Sequence, residues 1–135
     1  EATMPSRQRK STAPPLPAID GGSRPERWAL SAGDALTASL TIPADARRER
    51  RFEIACAMTV QGLAEAAGAW HEMTVWADGQ QQWTRRVPTH NPGAWDGLDF
   101  RFRRSVAVGR SCRVVVTVAC QGGRRRSLEI EADEV

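Results

Sequence analysis

A chain of 135 residues is long enough for one domain with one hydrophobic core and leaves no room for a second. Its hydrophobic content of 41% and charged content of 26% are ordinary for a folded protein and exclude wholesale disorder. The net charge of +3 comes from arginines scattered along the chain, which argues against a nucleic-acid surface. The longest apolar run, VVVTVAC, is too short to span a membrane.

Residues 1–26 differ in composition from the rest of the chain. They contain five prolines and few large apolar side chains, so they cannot form a core of their own. The PPLP stretch within them favours an extended polyproline II conformation. We therefore predict an extended N-terminal arm over residues 1–26 and a folded domain over residues 27–135.

The chain after the arm alternates apolar and polar side chains. In FEIACAMTV, residues 52–60, the side chains of one phase are large and apolar, and DALTASLTI at 34–42 follows the same pattern. The pattern returns at 98–103, 112–120 and 128–133. Such alternation predicts β-strands that bury one face.

Turn signals between these segments indicate an antiparallel arrangement. Asp78-Gly79 is a strong hairpin signal, and Gly122-Gly123 separates the last two predicted strands as a second hairpin signal. The one helical candidate, QGLAEAAGAW at 61–70, is short. We count about eight strands and predict an all-β antiparallel β-sandwich with a jelly-roll or other Greek-key topology.

An immunoglobulin-like topology is the alternative. The spacing of Cys56, Trp70 and Cys120 resembles the Cys, Trp, Cys pattern of immunoglobulin domains, which implies a disulfide between Cys56 and Cys120. The tyrosine of that pattern is absent, since Val118 stands two residues before the second cysteine. These two cysteines and Cys112 share the apolar phase of their strands, so three buried thiols are the competing prediction.

Four of the five tryptophans divide into two pairs by their position in the chain. We predict that Trp28 and Trp70 are core or staple residues and not ligand contacts. Trp76 and Trp83 flank the Asp78-Gly79 turn and are predicted to pack against each other across the hairpin. Because Trp76 is out of phase with its apolar neighbours, it is also predicted to face solvent and to be available to a ligand.

A connection rich in turn residues precedes the predicted strand at 98–103. Long connections carry function more often than short ones, and exposed tryptophans stack on sugar rings. One hypothesis is therefore a carbohydrate site formed by Trp95, His90, Asn91, Asp96, Asp99 and Trp76. In the competing structural interpretation, Trp95 caps an open end of the sandwich and Asp96 begins a turn at Gly97.

The sequence offers little support for catalysis or metal binding. His71 and His90 have no metal-ligand spacing with other residues, and the cysteines follow the buried phase. Asp96 and Asp99 alone are too few carboxylates for a calcium site. We therefore predict a protein that is not an enzyme and has no metal or cofactor. The lack of a signal peptide and the odd cysteine number favour the cytoplasm.

Opposite charges near the two ends of the chain suggest assembly. The arm carries a basic group, Arg7, Arg9 and Lys10, and the last predicted strand carries an acidic group, Glu129, Glu131, Asp133 and Glu134. If the last strand is a sheet edge, the arm of one copy can reach the edge of another. The leading hypothesis is a non-enzymatic interaction module that self-associates or docks into a larger assembly with the arm as tether. The alternative is a carbohydrate-binding module or lectin.

Overall fold

The computed structural model describes residues 6–7, 24–63, 67–90 and 95–135, which form β-strands and connections and contain no helix. The strands are β1 (Ser6–Arg7), β2 (Arg27–Ser31), β3 (Thr37–Ile42), β4 (Arg50–Gly62), β5 (Trp70–Ala77), β6 (Gln80–Pro88), β7 (Trp95–Val106), β8 (Cys112–Gln121) and β9 (Gly123–Glu134). Asn91, Arg9, Lys10 and most of the predicted arm lie outside the described residues.

The strands form two antiparallel sheets with orders β1-β2-β9-β4-β7 and β3-β8-β5-β6. The pairs nest around the tight β5–β6 connection: β4 pairs with β7, β3 with β8, and β2 with β9. Successive pairs fall in alternate sheets, which is the jelly-roll order. The predicted antiparallel sandwich is confirmed, and the immunoglobulin-like alternative does not describe the topology.

The core lies between the sheets and follows directly from the alternation in sequence. On β4, buried side chains alternate with half-buried ones on the outer face. The opposing sheet contributes Leu40, Met73, Val75, Val114 and Val116 in the same way. Because a shift of one residue would exchange the two faces of a strand, this pattern also fixes the strand registers.

The two predicted hairpin turns have different outcomes. Asp78 and Gly79 have φ angles of 49° and 82°, and a turn with two left-handed residues suits the twist of a hairpin. The β5–β6 hairpin is therefore confirmed. The second prediction is wrong, because β8 and β9 belong to different sheets and Gly122, with a φ of 75°, turns the chain from one sheet to the other.

Two further expectations are corrected by the strand order. β9 is not an edge strand, because it lies between β2 and β4 and pairs with both of them. The helical candidate at 61–70 is also wrong: β4 continues to Gly62 and β5 begins at Trp70, while residues 64–66 lie outside the described residues. Tertiary pairing outweighs the weak helix propensity of this short stretch.

A partly buried ionic cluster closes the end of the sandwich where β2 begins and β9 ends. The Arg50 side chain is only 1% exposed; it donates to Glu26 at 2.7 Å and to the Pro43 carbonyl at 2.7 Å. Arg48 donates to both carboxylate oxygens of Glu134, one of them at 3.0 Å. Glu134 also accepts from the Glu26 backbone N–H at 3.0 Å. These bonds join β2, β4 and β9 with the chain that leads into β4.

The cluster makes the stability of the fold sensitive to acid. The hydrogen bond from Arg48 is the main reason that the pKa of Glu134 is lowered, although burial opposes the shift. The Arg47 backbone N–H likewise lowers the pKa of Asp45. A carboxylate with a lowered pKa stabilises the fold above its unfolded pKa, and this contribution is lost as the pH falls through the folded value.

We expect Glu134→Gln to lower the free energy of unfolding by about 1 kcal/mol near neutral pH and by less near pH 3, because the contribution of the carboxylate is lost as the pH falls through its lowered pKa. Urea unfolding at both pH values measures the difference. Glu129→Gln, on the exposed face of the same strand, is the control and should change stability little. A difference for Glu134→Gln that does not depend on pH would contradict the ionic explanation.

Candidate functional site

Cys56 and Cys112 are buried in the core as predicted, whereas Cys120 is half-buried against it. All three are free, so the Cys56–Cys120 disulfide does not form. Burial raises the pKa of Cys56 to about 12 and also raises that of Cys112. Both thiols therefore remain protonated at neutral pH and offer no thiolate nucleophile.

The two tryptophans of the predicted carbohydrate site lie on opposite outer faces of the sandwich. Trp76 alternates with buried Val75 and Ala77 and lines a cleft of about 280 Å³ on the four-stranded sheet. Trp95 begins β7 in the five-stranded sheet, in the same phase as exposed Gly97 and Asp99. The structure therefore does not bring Trp76 and Trp95 into one site.

The other tryptophans also differ in part from expectation. Trp28 is buried as predicted, whereas Trp70 is half-buried on the outer face with the Arg86 guanidinium 3.7 Å from its ring centre. The predicted Trp76–Trp83 pair is wrong, because a bulge between Val75 and Trp76 pairs Trp83 with Val75 and places it on the inner side. Trp83 instead stacks on Phe100 with ring centres 4.8 Å apart.

Asp96 does not begin a turn at Gly97, since both residues lie within β7, and it instead ties the start of this strand to the preceding connection. Its carboxylate accepts hydrogen bonds from the backbone N–H groups of His90 at 3.2 Å and Gly97 at 3.1 Å. The His90 side chain and Asp99 are exposed. Trp95 is 57% exposed and therefore does not cap the core as a buried residue.

A buried histidine fixes the start of β7. His71 is fully buried; its Nδ1 lies 2.7 Å from the Thr89 hydroxyl and its Nε2 lies 3.4 Å from the Gly97 carbonyl. Because the carbonyl only accepts, Nε2 carries the proton and Nδ1 accepts from Thr89. A side chain at Gly97 would meet the Met58 carbonyl oxygen at 2.5 Å, so this position requires glycine. His71 and Gly97 together set the position of the strand that begins with Trp95.

A groove of about 480 Å³ lies beside Trp95 and is lined by Asp34 and by Arg124, Arg125 and Arg126 of β9. The Arg126 guanidinium lies 5.3 Å from the Trp95 ring centre. Arg125 is held by a 3.0 Å hydrogen bond to the Asp34 carbonyl. Arg124 and Arg126 are exposed.

A bulge in β9 explains the position of these arginines. Thr59 of β4 pairs with Ser127 and Val60 pairs with Arg125, which leaves Arg126 as the extra residue. Bulges redirect side chains, and Arg126 projects on the same outer face as Trp95. The RRR run was visible, but its distance from Trp95 depends on the strand order and the bulge.

The second notable surface is the free edge of β7. Within the described residues β7 pairs with β4 alone, and it is 12 residues long. Its inward side chains, Leu98, Phe100 and Phe102, are half-buried at the open margin of the sandwich. Its outward face carries Asp99, Arg101 and Arg103, and both arginines pair with Glu53 of β4 at 3.5 and 3.7 Å.

The acidic residues predicted as assembly contacts already have partners in the same chain. Arg27 pairs with Glu131 at 3.3 Å and with Asp133 at 3.5 Å, and Glu134 belongs to the ionic cluster. Glu129 is exposed. Arg7 lies in β1, whose backbone pairs with β2 and not with β9. The structure does not bring the basic group of the arm to the acidic group of β9 within the described residues.

No group of three or more His, Cys, Asp and Glu that could hold a metal ion occurs in the described part of the chain. The same residues include no helix long and apolar enough to cross a membrane.

The described residues form an antiparallel jelly-roll β-sandwich in which β7 is a long edge strand and a groove beside Trp95 is lined by arginines. No protein-family model and no curated protein matches it. Among solved structures, it is similar to dimeric latent PorU from Porphyromonas gingivalis, with a TM-score of 0.48 and 16% sequence identity. The match covers 78% of this chain and 10% of that chain, so the chain corresponds to about a tenth of that protein's length.

We expect His71→Ala to lower the free energy of unfolding by about 2–4 kcal/mol, because it leaves a cavity and removes the partner of Thr89 and Gly97. His90→Ala provides a matched control, since that side chain is exposed, and should change stability by less than about 0.5 kcal/mol. Chemical denaturation of both variants measures these values. Equal effects of the two substitutions would contradict the proposed role of His71.

Proposed function

We propose that this protein is a non-enzymatic interaction module that self-associates through the free edge of β7. The supporting observation is the combination of an unpaired edge, a half-buried aromatic row and a charge pattern on one strand. Unpaired edge strands are ready templates for strand addition. A second copy of the chain is the proposed partner.

The other edge of the same sheet is already occupied. Ser6 and Arg7 pair with Ala29 and Trp28, so β1 covers β2. The arm of residues 1–26 therefore contributes, in this proposal, the short strand β1 beside β2, and β7 is the long edge of this sheet. This assignment replaces β9 as the contact strand, because β9 has neighbours on both sides.

The charges of β7 favour a particular self-pairing. If two antiparallel β7 strands meet about a twofold axis at Phe100, Arg101 of one copy lies opposite Asp99 of the other, and the reciprocal pair forms by symmetry. Arg103 then lies opposite a glycine, Gly97, and meets no like charge. Moving the axis by one residue to Arg101 shifts the pairing by two residues. Asp99 then lies opposite Arg103, but Arg101 lies opposite its own copy, and this like-charge contact disfavours that register.

The inward side of the same register is apolar. Phe100 lies opposite its own copy, and Phe102 lies opposite Leu98. Phe100 is stacked between Trp83 and Phe102, with the ring centre of Phe102 5.6 Å away, so the row is already ordered before association. Pairing would cover this half-exposed margin and extend the sandwich core across both copies.

The charge pattern allows a reciprocal test by light scattering after size-exclusion chromatography. We expect the wild-type chain to dimerise, and Arg101→Asp or Asp99→Arg alone to weaken the dimer by about tenfold or more, because like charges then face each other. The double variant Asp99→Arg with Arg101→Asp restores opposite charges and should recover dimerisation.

Two controls separate this contact from other causes. Arg103→Gln also removes an ion pair with Glu53 but leaves the Asp99–Arg101 pairing intact, so the dimer should persist. A chain shortened to begin at Gly22 should also dimerise. A wild-type monomer, or a double variant no better than the single ones, would refute the β7 contact. Loss of the dimer on removal of the arm would instead favour arm exchange.

A further inference from the structure

The groove beside Trp95 combines an exposed aromatic ring with exposed arginines. Trp95 is more than half exposed at the start of β7, and Arg126 reaches across β4 to lie over its ring. Arg124 pairs in register with Gln61, whose other neighbour is Trp95, so it lies on the same face. An aromatic surface and two exposed guanidinium groups therefore line one groove.

A row of small side chains lies next to the Trp95 row on the same face of the sheet. Gly97, Thr59 and Ser127 form this row across β7, β4 and β9, and the hydroxyl oxygens of Thr59 and Ser127 are 2.6 Å apart. The row lies between the Trp95 row and the one that ends in Asp99 and Glu129. A ligand that extends from the groove over this row would contact the tryptophan ring from the side and the arginines with its anionic group.

The chemistry of the groove favours a sugar ring that carries a carboxylate. The C–H face of a pyranose stacks on tryptophan, and a guanidinium binds a carboxylate through two parallel hydrogen bonds. Hydroxyl groups of the sugar match the Thr59 and Ser127 hydroxyls of the neighbouring row.

The surrounding charges argue for a compact anion and not for a nucleic acid. A nucleic-acid backbone repeats its charge and needs a continuous basic track. Here Asp34 lines the groove itself, and Asp99 and Glu129 lie on the same face, beyond the row of Gly97, Thr59 and Ser127. The positive region is therefore bounded by carboxylates on two sides, which suits one acidic sugar unit and opposes an extended polyphosphate.

We infer that the Trp95 groove binds a uronic-acid unit of an acidic oligosaccharide, with the sugar ring against Trp95 and its carboxylate on Arg126 and Arg124. The inference is independent of self-association, because the groove lies on the outer face of the sheet and the β7 contact uses its edge.

Isothermal titration calorimetry with trigalacturonate tests this site on the full chain. We expect binding that falls by about tenfold or more for the fully methyl-esterified trisaccharide, which has the same rings without the charges. Trp95→Ala and Arg126→Gln should each weaken binding of trigalacturonate by about tenfold or more. Arg51→Gln is the control, since Arg51 is an exposed arginine near the other end of β4, and it should bind as the wild type does.

Each contrary result refutes a definite part of the inference. Absence of binding at millimolar trigalacturonate, or equal affinity for the methyl ester, would overturn it. Equal weakening by Arg51→Gln would indicate diffuse electrostatic attraction instead of the groove. Tighter binding of single-stranded oligothymidylate than of trigalacturonate would assign the groove to nucleic acid. Circular dichroism spectra of the variants that match the wild type ensure that any loss of binding arises at the site.

Discussion

The antiparallel pairing of β4 with β7 runs without interruption from Arg50 opposite Val106 to Gln61 opposite Trp95. It places Phe100 beside Cys56 at the centre of the sheet and leaves the other side of β7 as the sheet edge. The same register places Trp95 next to Gln61, and Gln61 next to Arg124. Both proposed binding surfaces therefore depend on this one strand pair, and a shift of β7 would abolish them together.

Nested pairing also explains which features could be predicted from the sequence. The alternation of apolar and polar side chains is a local property, because it distinguishes the two faces of one strand. In β4 it was sufficient to predict the strand and its buried side, which carries Phe52, Ile54, Cys56, Met58 and Val60. The Asp78-Gly79 turn is likewise local, since two adjacent residues adopt positive φ. The pairing of β2 with β9 joins residues about a hundred positions apart, and no local pattern encodes it.

The errors at the candidate site have the same physical origin. Trp83 and Trp76 were assigned to one face by counting from the turn, and a single bulge placed them on opposite sides. Arg126 lies near Trp95 because of another bulge and because β4 lies between β7 and β9. Asp96 and Gly97 were expected to form a turn from their residue types alone, but pairing with Val60 and Thr59 of β4 places both residues in β7. Bulges and strand order are set by packing of the whole sandwich, which short-range patterns do not contain.

The ionic cluster of Glu26, Arg48 and Glu134 has a mechanical consequence. Arg27 pairs with Asp133, so the start of β2 and the end of β9 lie side by side at one corner of the sheet. Tension applied between residues 24 and 135 would peel these strands apart one hydrogen bond at a time and would not shear them, because ladder bonds lie across the strands. The first bonds to bear the load are those of the cluster, because Arg48 joins Glu26, the residue before β2, to Glu134 at the end of β9. Resistance to stretching is therefore concentrated in a few charged groups at one corner, and the rest of the sheet bears force only after they separate.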